Sequence, residues 1–328
     1  MKREPAKEAK MTHNLRCIVL AMIIAALIIP GAAQAKTFKI GVTVIVSHPA
    51  LEADQQGFEK AIAEAGLEAE YDYQNAQGDM ANATTIAQKF KNDDLDLVHA
   101  IATPTSQAAV KVIKNKPIVY SSVTDPVDAG LVKTMGPSGT NVTGISDAWP
   151  IERQIELYHQ MLPSAKKWGT VYNAGDANSV KSISWTRDAM KKFGLELIEV
   201  TISNSAEVYT GAQTLVGRVD AIYITSDNTV VSALESVVKV ANNKKIPLFG
   251  GDTTTVEKGM IAAYGLNYFQ VGYSAGKKAV LVLKGQAPGT VPSGLTENLS
   301  LWINLKAAMD QKVTVPEKFV KMAEKVFR

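Results

Sequence analysis

The feature that most constrains this 328-residue chain is that its first half is written a second time. Gly41-Val-Thr-Val is echoed by Gly169-Thr-Val-Tyr, and Gly66-Leu-Glu by Gly194-Leu-Glu, each 128 residues downstream. Asp96-Leu-Val-His-Ala-Ile is matched by Asp220-Ala-Ile-Tyr-Ile-Thr at an offset of 124, and Pro117-Ile-Val-Tyr by Pro247-Leu-Phe-Gly at 130. One such match means little, because Gly ends helices and Pro starts strands in any fold. Four in one order at a nearly constant offset indicate a structural duplication, and hence two similar lobes.

Within each half, strand and helix patterns alternate. Phe38–Val46 reads as a strand, and 51–65 is helical, with Leu51, Phe58, Ile62 and Ala65 on one face. Strands at 68–73, 95–102, 118 onward and 141–145 alternate with helices at 83–90 and from Thr103. This β-α-β-α rhythm predicts an α/β fold of two Rossmann-like lobes with parallel sheets and helices on both faces. The tail does not repeat. It reads as a strand at 260–266, a helix at 268–283, a strand at 299–303 and a closing helix at 316–327, pieces that cross back between the lobes as a multi-strand hinge. The boundaries expected are an N-terminal lobe of 36–146 and 267–292 and a C-terminal lobe of 147–266 and 293–328.

Residues 1–35 read as a secretory signal peptide. Lys2, Arg3, Lys7, Lys10 and Arg16 precede an uncharged apolar run from Cys17 to Ile29, then Pro30-Gly31 and the small residues Ala33-Gln34-Ala35. The run is shorter than the roughly 20 residues of a membrane-spanning helix. Cys17 precedes it, whereas a lipoprotein cysteine follows. The expected mature protein starts near Lys36, is free in the periplasm, and carries no cysteine for a disulfide, thiol nucleophile or metal. Without the leader 30 basic and 30 acidic residues remain, so the basic pI is no argument for nucleic acid.

A sheet buried on both faces places its chemistry just beyond the carboxyl ends of its strands. Ile118-Val-Tyr-Ser-Ser-Val-Thr-Asp-Pro126 shows this directly, an apolar run emptying into hydroxyls and a carboxylate. The first lobe offers Ser47-His48, Thr103–Ser106 and Ser121–Asp125, and the second Asn173–Ser179, Ser226–Thr229 and Gly251–Thr253. Facing each other, these six segments line one cleft. Several also begin helices, whose free N–H groups bind carboxylate or phosphate. Thr103–Ser106 and Asn178-Ser179 suit that role and equally suit plain helix caps. Asp125, Asp227 and Asp252 can hold an ammonium group or merely cap a turn; Gly250-Gly251 lets a backbone approach a ligand closely and favours Asp252. His48 stands evenly between cap and ligand contact, His99 reads as core, and His159 as solvated. Tyr120, Tyr172, Trp149 and Trp185 can stack on a ring, although most large aromatics are core. No G-x-S-x-G elbow, phosphate-binding lysine loop, G-x-G-x-x-G or H-E-x-x-H occurs, and no catalytic residue, metal site or cofactor is expected.

Six motifs carry a resemblance: His48-Pro-Ala-Leu51, Ala102-Thr-Pro-Thr-Ser-Gln107, Ser122-Val-Thr-Asp-Pro-Val127, Asn141-Val-Thr-Gly144, Asn178-Ser179 and Ser226-Asp-Asn-Thr-Val230. In order and over nearly all of 36–327, the chain resembles the substrate-binding proteins of ABC importers grouped with tryptophan and tyrosine transport. The resemblance implies a type I periplasmic binding protein fold with three crossings between its lobes. It implies that a ligand carboxylate meets Thr103, Ser106, Gln107, Thr124 and Asp125, while Asn178, Ser179, Asp227, Asn228 and Asp252 face it from the second lobe. It places side-chain recognition near His48 and Tyr172. The function expected is a monomeric periplasmic receptor that binds an amino acid, aromatic by the resemblance, closes over it, and delivers it to an ABC permease. The alternatives are a sensor subunit, or a racemase or lyase working through Asp125 and Asp252.

Overall fold

Strands rich in Val and Ile, separated by amphipathic helices, form two sheets in a computed structural model that describes residues 36–296 and 299–328. The leader, with Cys17 and the expected cleavage site, lies outside the described residues. The first half runs β1 (Phe38–Val44), α1 (Pro49–Glu64), β2 (Ala69–Asn75), α2 (Met80–Asn92), β3 (Leu97–Ile101), α3 (Thr103–Val112), β4 (Ile118–Val123) and β5 (Val142–Ser146). The second runs α4 (Ile151–Met161), β6 (Lys167–Asn173), α5 (Ala177–Lys192), β7 (Glu196–Ile202), α6 (Val208–Thr214), β8 (Ala221–Ile224), α7 (Asn228–Ser232), α8 (Leu234–Lys244), β9 (Leu248–Gly250) and β10 (Ala262–Leu266). The tail adds α9 (Tyr268–Leu283), β11 (Gly294–Leu295), β12 (Leu299–Asn304), α10 (Leu305–Asp310), α11 (Glu317–Met322) and β13 (Lys325–Phe327).

The sheets have the orders β11-β5-β4-β3-β1-β2 and β13-β12-β10-β9-β8-β6-β7. Numbered within its own half, each follows 2-1-3-4-5, the doubly wound order whose switch point lies between its first and third strands. Pairing is parallel except between β10 and β12. The repeated sequence pairs do repeated jobs. Gly66 and Gly194 end α1 and α5 at φ +70° and +66°, left-handed values that Gly adopts freely. Asp96 accepts the Lys39 N–H at 2.8 Å at the start of β1, and Asp220 accepts the Lys166 and Lys167 N–H groups at 2.8 Å at the start of β6. Pro117 O accepts from Val98 N, as Pro247 O does from Ile222 N.

Strands β3, β4 and β5 are buried along their whole length, which is why they read as continuous apolar runs. The chain passes between sheets after β5, after β10 and between β11 and β12. The short β11 still pairs with β5, so the last passage comes after Leu295 and later than residue 293. The expected closing helix over 316–327 is a correction: it stops at Met322, and Lys325–Phe327 joins the second sheet as a strand beside β12. There it pairs with Trp302–Asn304 of β12, and Phe327 lies against Trp302 at a ring distance of 6.1 Å.

Helix α9 follows a strand of the second sheet but packs on α1, β4 and β5 of the first lobe. Glycines allow the close approach. A Cβ on Gly272 would lie 1.7 Å from the Asp54 carbonyl oxygen, and one on Gly57 would lie 2.0 Å from Phe269 O. Gly272→Ala should therefore cost about 3 kcal/mol, the upper end for an overpacked site. Gly66→Ala, with open space around it and only a positive φ to pay for, should cost about 1 kcal/mol. Urea-unfolding midpoints test the order, and equal losses would contradict the helix contact.

Candidate functional site

The carboxyl ends of β3 and β4 are held in unusual backbone. Ala102 has φ +77° and ψ 159°, a region costly for any residue with a Cβ, and Ser122 has φ +52°. The turn at Ala102 starts α3 immediately, so the helix's first N–H groups lie at the strand end. The bend at Ser122 is fixed from below by Asp54, a fully buried carboxylate on α1. Ser121 Oγ donates to Asp54 Oδ1 at 2.7 Å and Ser122 Oγ to Oδ2. Ser121 has only one hydroxyl hydrogen, so His99 Nε2, 2.7 Å from Ser121 Oγ, carries the proton of that contact. The His99 ring stacks on Phe58 at 3.8 Å, and burial holds its pKa down at about 3, so His99 is the expected core residue in its neutral form. Burial pushes Asp54 up to about 7 against the pull of the two serines.

Several of the strand-end segments come together across the seam between the sheets. His48 is buried and makes no cap; its Nε2 lies 3.3 Å from Asn228 Oδ1, at the start of α7. An amide oxygen only accepts, so Nε2 is the protonated nitrogen, and burial lowers the His48 pKa to about 4. The N-terminal parts of α3 and α5 approach each other. At one edge of the seam Lys181 Nζ of α5 reaches Asp125 Oδ2 at 3.1 Å and Asp128 Oδ1 at 3.4 Å, and it lies over the Trp185 ring. At the other, a groove of about 460 Å³ runs between Ser47–Pro49 and Glu52 on one side and 231–236, Thr254, Thr255 and Lys258 on the other.

The three expected carboxylates are occupied in ways their plainer reading anticipated. Asp227 caps α7, accepting from Val230 N at 2.8 Å, and takes the Asn173 N–H at 2.7 Å. Asp252 caps a one-turn helix over Thr253–Thr255, its oxygens receiving Thr254 N and Thr254 Oγ1, each at 2.8 Å. Asp125 accepts from the Val127 and Asp128 N–H groups as well as from Lys181; burial opposes its ionisation, but these donors outweigh it and hold its pKa below the usual carboxylate range. Ser106 donates to Ala100 O and Gln107 to Ala129 O, so both fasten the α3 end. Tyr172 is not brought to the seam cluster. Its hydroxyl donates to Glu199 on β7, the residue paired with Arg187 of α5.

The carboxylate that reading by motif misses is Asp147, the residue after β5. It is 3% exposed; Tyr268 donates to its Oδ2 at 2.8 Å, and Oδ1 has no partner. Burial pushes Asp147 up to about 6, against hydrogen bonds from Tyr268 and Thr124, and it raises the pKa of Asp252 in turn. Further buried polar atoms at strand or helix ends lack partners, among them Thr103 Oγ1 in the first lobe and Thr225 Oγ1 and Asn178 Oδ1 in the second. Buried polar groups are normally paired. Two hydroxyls able to donate and two oxygens able only to accept from a cation or N–H form a set suited to a small ligand bearing both signs of charge.

Two outcomes follow from this geometry. The folded chain keeps the Asp54 proton up to about pH 7, whereas an unfolded aspartate loses it near pH 3.9. The stability this group contributes at low pH is therefore lost as pH rises through that window. Thermal melts of Asp54→Asn should show it gaining on the parent between pH 4 and 7, with no further gain above 7; a parallel pair of curves would contradict this. Lys181→Ala should shift the lobes apart by roughly two- to fivefold in equilibrium constant, as half-exposed ion pairs contribute about 0.5–1 kcal/mol. Fluorophore pairs with one label per lobe would read the shift, and it should shrink in about 0.5 M salt.

Residues 39–327 match the family described as ABC transporter substrate binding protein. A tyrosine-binding protein of Clostridioides difficile (strain R20291) is 39% identical over 297 residues, 88% of this chain and 86% of its own length. The structure of an ABC domain in complex with L-Trp from Streptococcus pneumonia is 32% identical and superposes with a TM-score of 0.86, covering 89% of this chain and 100% of that one. The ligand-free, open structure of a substrate binding protein with adhesive properties from Clostridium difficile is 37% identical, yet its TM-score is 0.66, over 89% and 99% of the two chains. Identity ranks these two structures one way and superposition the other, which separates conformation from ancestry: this chain is arranged like the complex, in keeping with the contacts across its seam. Proteins of this family bind a small molecule outside the cytoplasm and pass it to an ABC permease. The chain is a member of the ABC transporter substrate-binding proteins, with the type I periplasmic binding protein fold.

Proposed function

We propose that this chain is the receptor for an aromatic amino acid, held in the cleft between its two lobes. The observation that carries the reading is the set of unpartnered buried atoms. Thr103 and Thr225 offer hydroxyl hydrogens, and the α3 N-terminus offers N–H groups, to an α-carboxylate. Asp147 Oδ1 and Asn178 Oδ1 offer acceptors to an α-ammonium. Asp147, rather than Asp252 or Asp227, takes the charge, because it alone of the three has an oxygen without a partner. Burial raises the cost of ionising Asp147, and Asp147 adds to that of Asp252, so a cation beside them is stabilised more than it would be by a solvated carboxylate.

The choice of an aromatic side chain rests on the relatives, one described as tyrosine-binding and one as a complex with L-Trp. Binding without turnover is the mechanism: contacts from both lobes favour the closed form, and the ligand shifts a hinge equilibrium. A racemase or lyase acting through Asp125 and Asp252 finds both carboxylates committed, one to Lys181 and one to Thr254. The receptor works as a monomer in the periplasm; its export, with the leader removed near Lys36, is supported by the leader's charge and apolar length.

A thermal-shift screen tests the ligand class. L-Tryptophan, L-tyrosine or L-phenylalanine at about a hundred times Kd should raise Tm by roughly 5 °C. A screen in which only sugars, nucleobases or aliphatic acids raise it would overturn the reading.

A further inference from the structure

Tyr268 occupies a singular place in the chain. It is the first residue of α9, two residues after β10 of the second sheet, and the helix it opens packs in the first lobe. The residue whose oxygen it holds, Asp147, directly follows β5, where the chain leaves the first sheet for the second. The Tyr268–Asp147 bond therefore joins two of the three interlobe passages. Tyr268 is 4% exposed and Asp147 3%, so the contact is shielded from bulk solvent. Ser226, at the end of β8, is a further neighbour of the Tyr268 hydroxyl.

We propose that Tyr268 is a positioning residue for ligand binding: by donating to Oδ2 of Asp147 at the hinge, it turns the free Oδ1 toward the ligand ammonium. This rests on the reading of Asp147 as the ammonium partner. The groups facing Asp147 are Tyr268 from α9, Thr124 from the β4 end, Asp252 from the β9 end and Asp54 from α1. Burial and the neighbouring Asp252 disfavour a charge on Asp147, and among these neighbours Tyr268 and Thr124 are the hydrogen-bond donors that offset them. Deleting the Tyr268 hydroxyl removes a charge-assisted bond and leaves Asp147 easier to protonate.

The test is calorimetry with L-tryptophan and L-tyrosine between pH 5.5 and 8 on the parent, Tyr268→Phe, Asp147→Asn and the double variant, with 3-indolepropionate, which lacks the ammonium, as control. Tyr268→Phe should weaken amino-acid binding by about tenfold at pH 6 and about threefold at pH 8, and leave 3-indolepropionate unchanged. In the Asp147→Asn background it should have almost no further effect. Parent-like affinity of Asp147→Asn would overturn the ammonium assignment itself. Weak binding by Asp147→Asn, together with a Tyr268→Phe loss that is absent, independent of pH or fully additive, would overturn the positioning role alone. Thermal melts of each variant verify folding; should Tyr268→Phe not fold, Thr124→Val, which removes the other donor to Asp147, must give the same pH-dependent loss or the proposal fails.

Discussion

A carboxylate with no access to water, Asp54, ties together the parts of the first lobe on which the cleft is built. Its side chain receives Ser121 and Ser122 and so sets the bend at the end of β4. Its carbonyl is the atom against which Gly272 of α9 packs, with no room for a methyl group. Four residues before Gly272 stands Tyr268, on the same face of the helix one turn earlier, with its hydroxyl on Asp147. One residue thus connects helix, strand end and hinge passage. An isolated buried charge would be costly, and two hydroxyl donors with a raised pKa make this one tolerable.

The duplication explains why ligand chemistry is split between lobes, and divergence explains why the halves are not equivalent. Both sheets present strand ends at their switch points, but the second lobe spends its carboxylates on its own backbone. Asp227 and Asp252 cap short helices whose N–H groups would otherwise be buried and unpaired. The first lobe holds Asp147 by a side chain from the hinge and leaves one oxygen open. Asp54, Asp147, Asp176, Asp227 and Asp252 all have pKa values raised chiefly by burial, while Lys181 sits at the edge and is paired with Asp125 and Asp128. Under the proposed function, this concentration of buried acids suits a ligand that brings its own positive charge, and the hydroxyls and the α3 N-terminus suit one with a carboxylate as well.

What could be read from sequence was whatever local geometry dictates. Gly66 and Gly194 predicted equivalent helix ends because the left-handed turn is a one-residue requirement. The polar segments after β1, β3, β4, β6, β8 and β9 were visible because a buried apolar run that turns polar can only be a strand end. His99 in an apolar strand was read as core for the same reason. Asp147 was not visible, since Asp-Ala-Trp-Pro looks like a linker and its partner Tyr268 is 121 residues away. Asp54 and Gln154 look like polar faces of amphipathic helices. Only the fold shows that Gln154 donates to Gly251 O and accepts from Tyr223. Tyr172 was drawn in by its place near a strand end, but strand alternation turned it toward Glu199. The closing helix was extended too far because Lys325–Phe327 gains its partner, β12, only once the second sheet exists.

The contacts that hold the lobes together are individually weak, and this matters for how the receptor works. The Lys181 pairs are half-exposed, and the His48–Asn228 contact is long at 3.3 Å. Together they bias the closed arrangement by an amount comparable to thermal energy, not by the several kcal/mol that would lock it. A seam that closed strongly without ligand would signal falsely to a permease, and one with no contacts would charge the whole ordering cost against ligand affinity. The atoms with strong unmet requirements, Asp147 Oδ1, Thr103 Oγ1, Thr225 Oγ1 and Asn178 Oδ1, lie on both lobes and cannot satisfy one another in the observed arrangement. Under the proposed function, closure is poised by these seam contacts and decided by a ligand that donates to the acceptors, accepts from the hydroxyls and so supplies the missing partners.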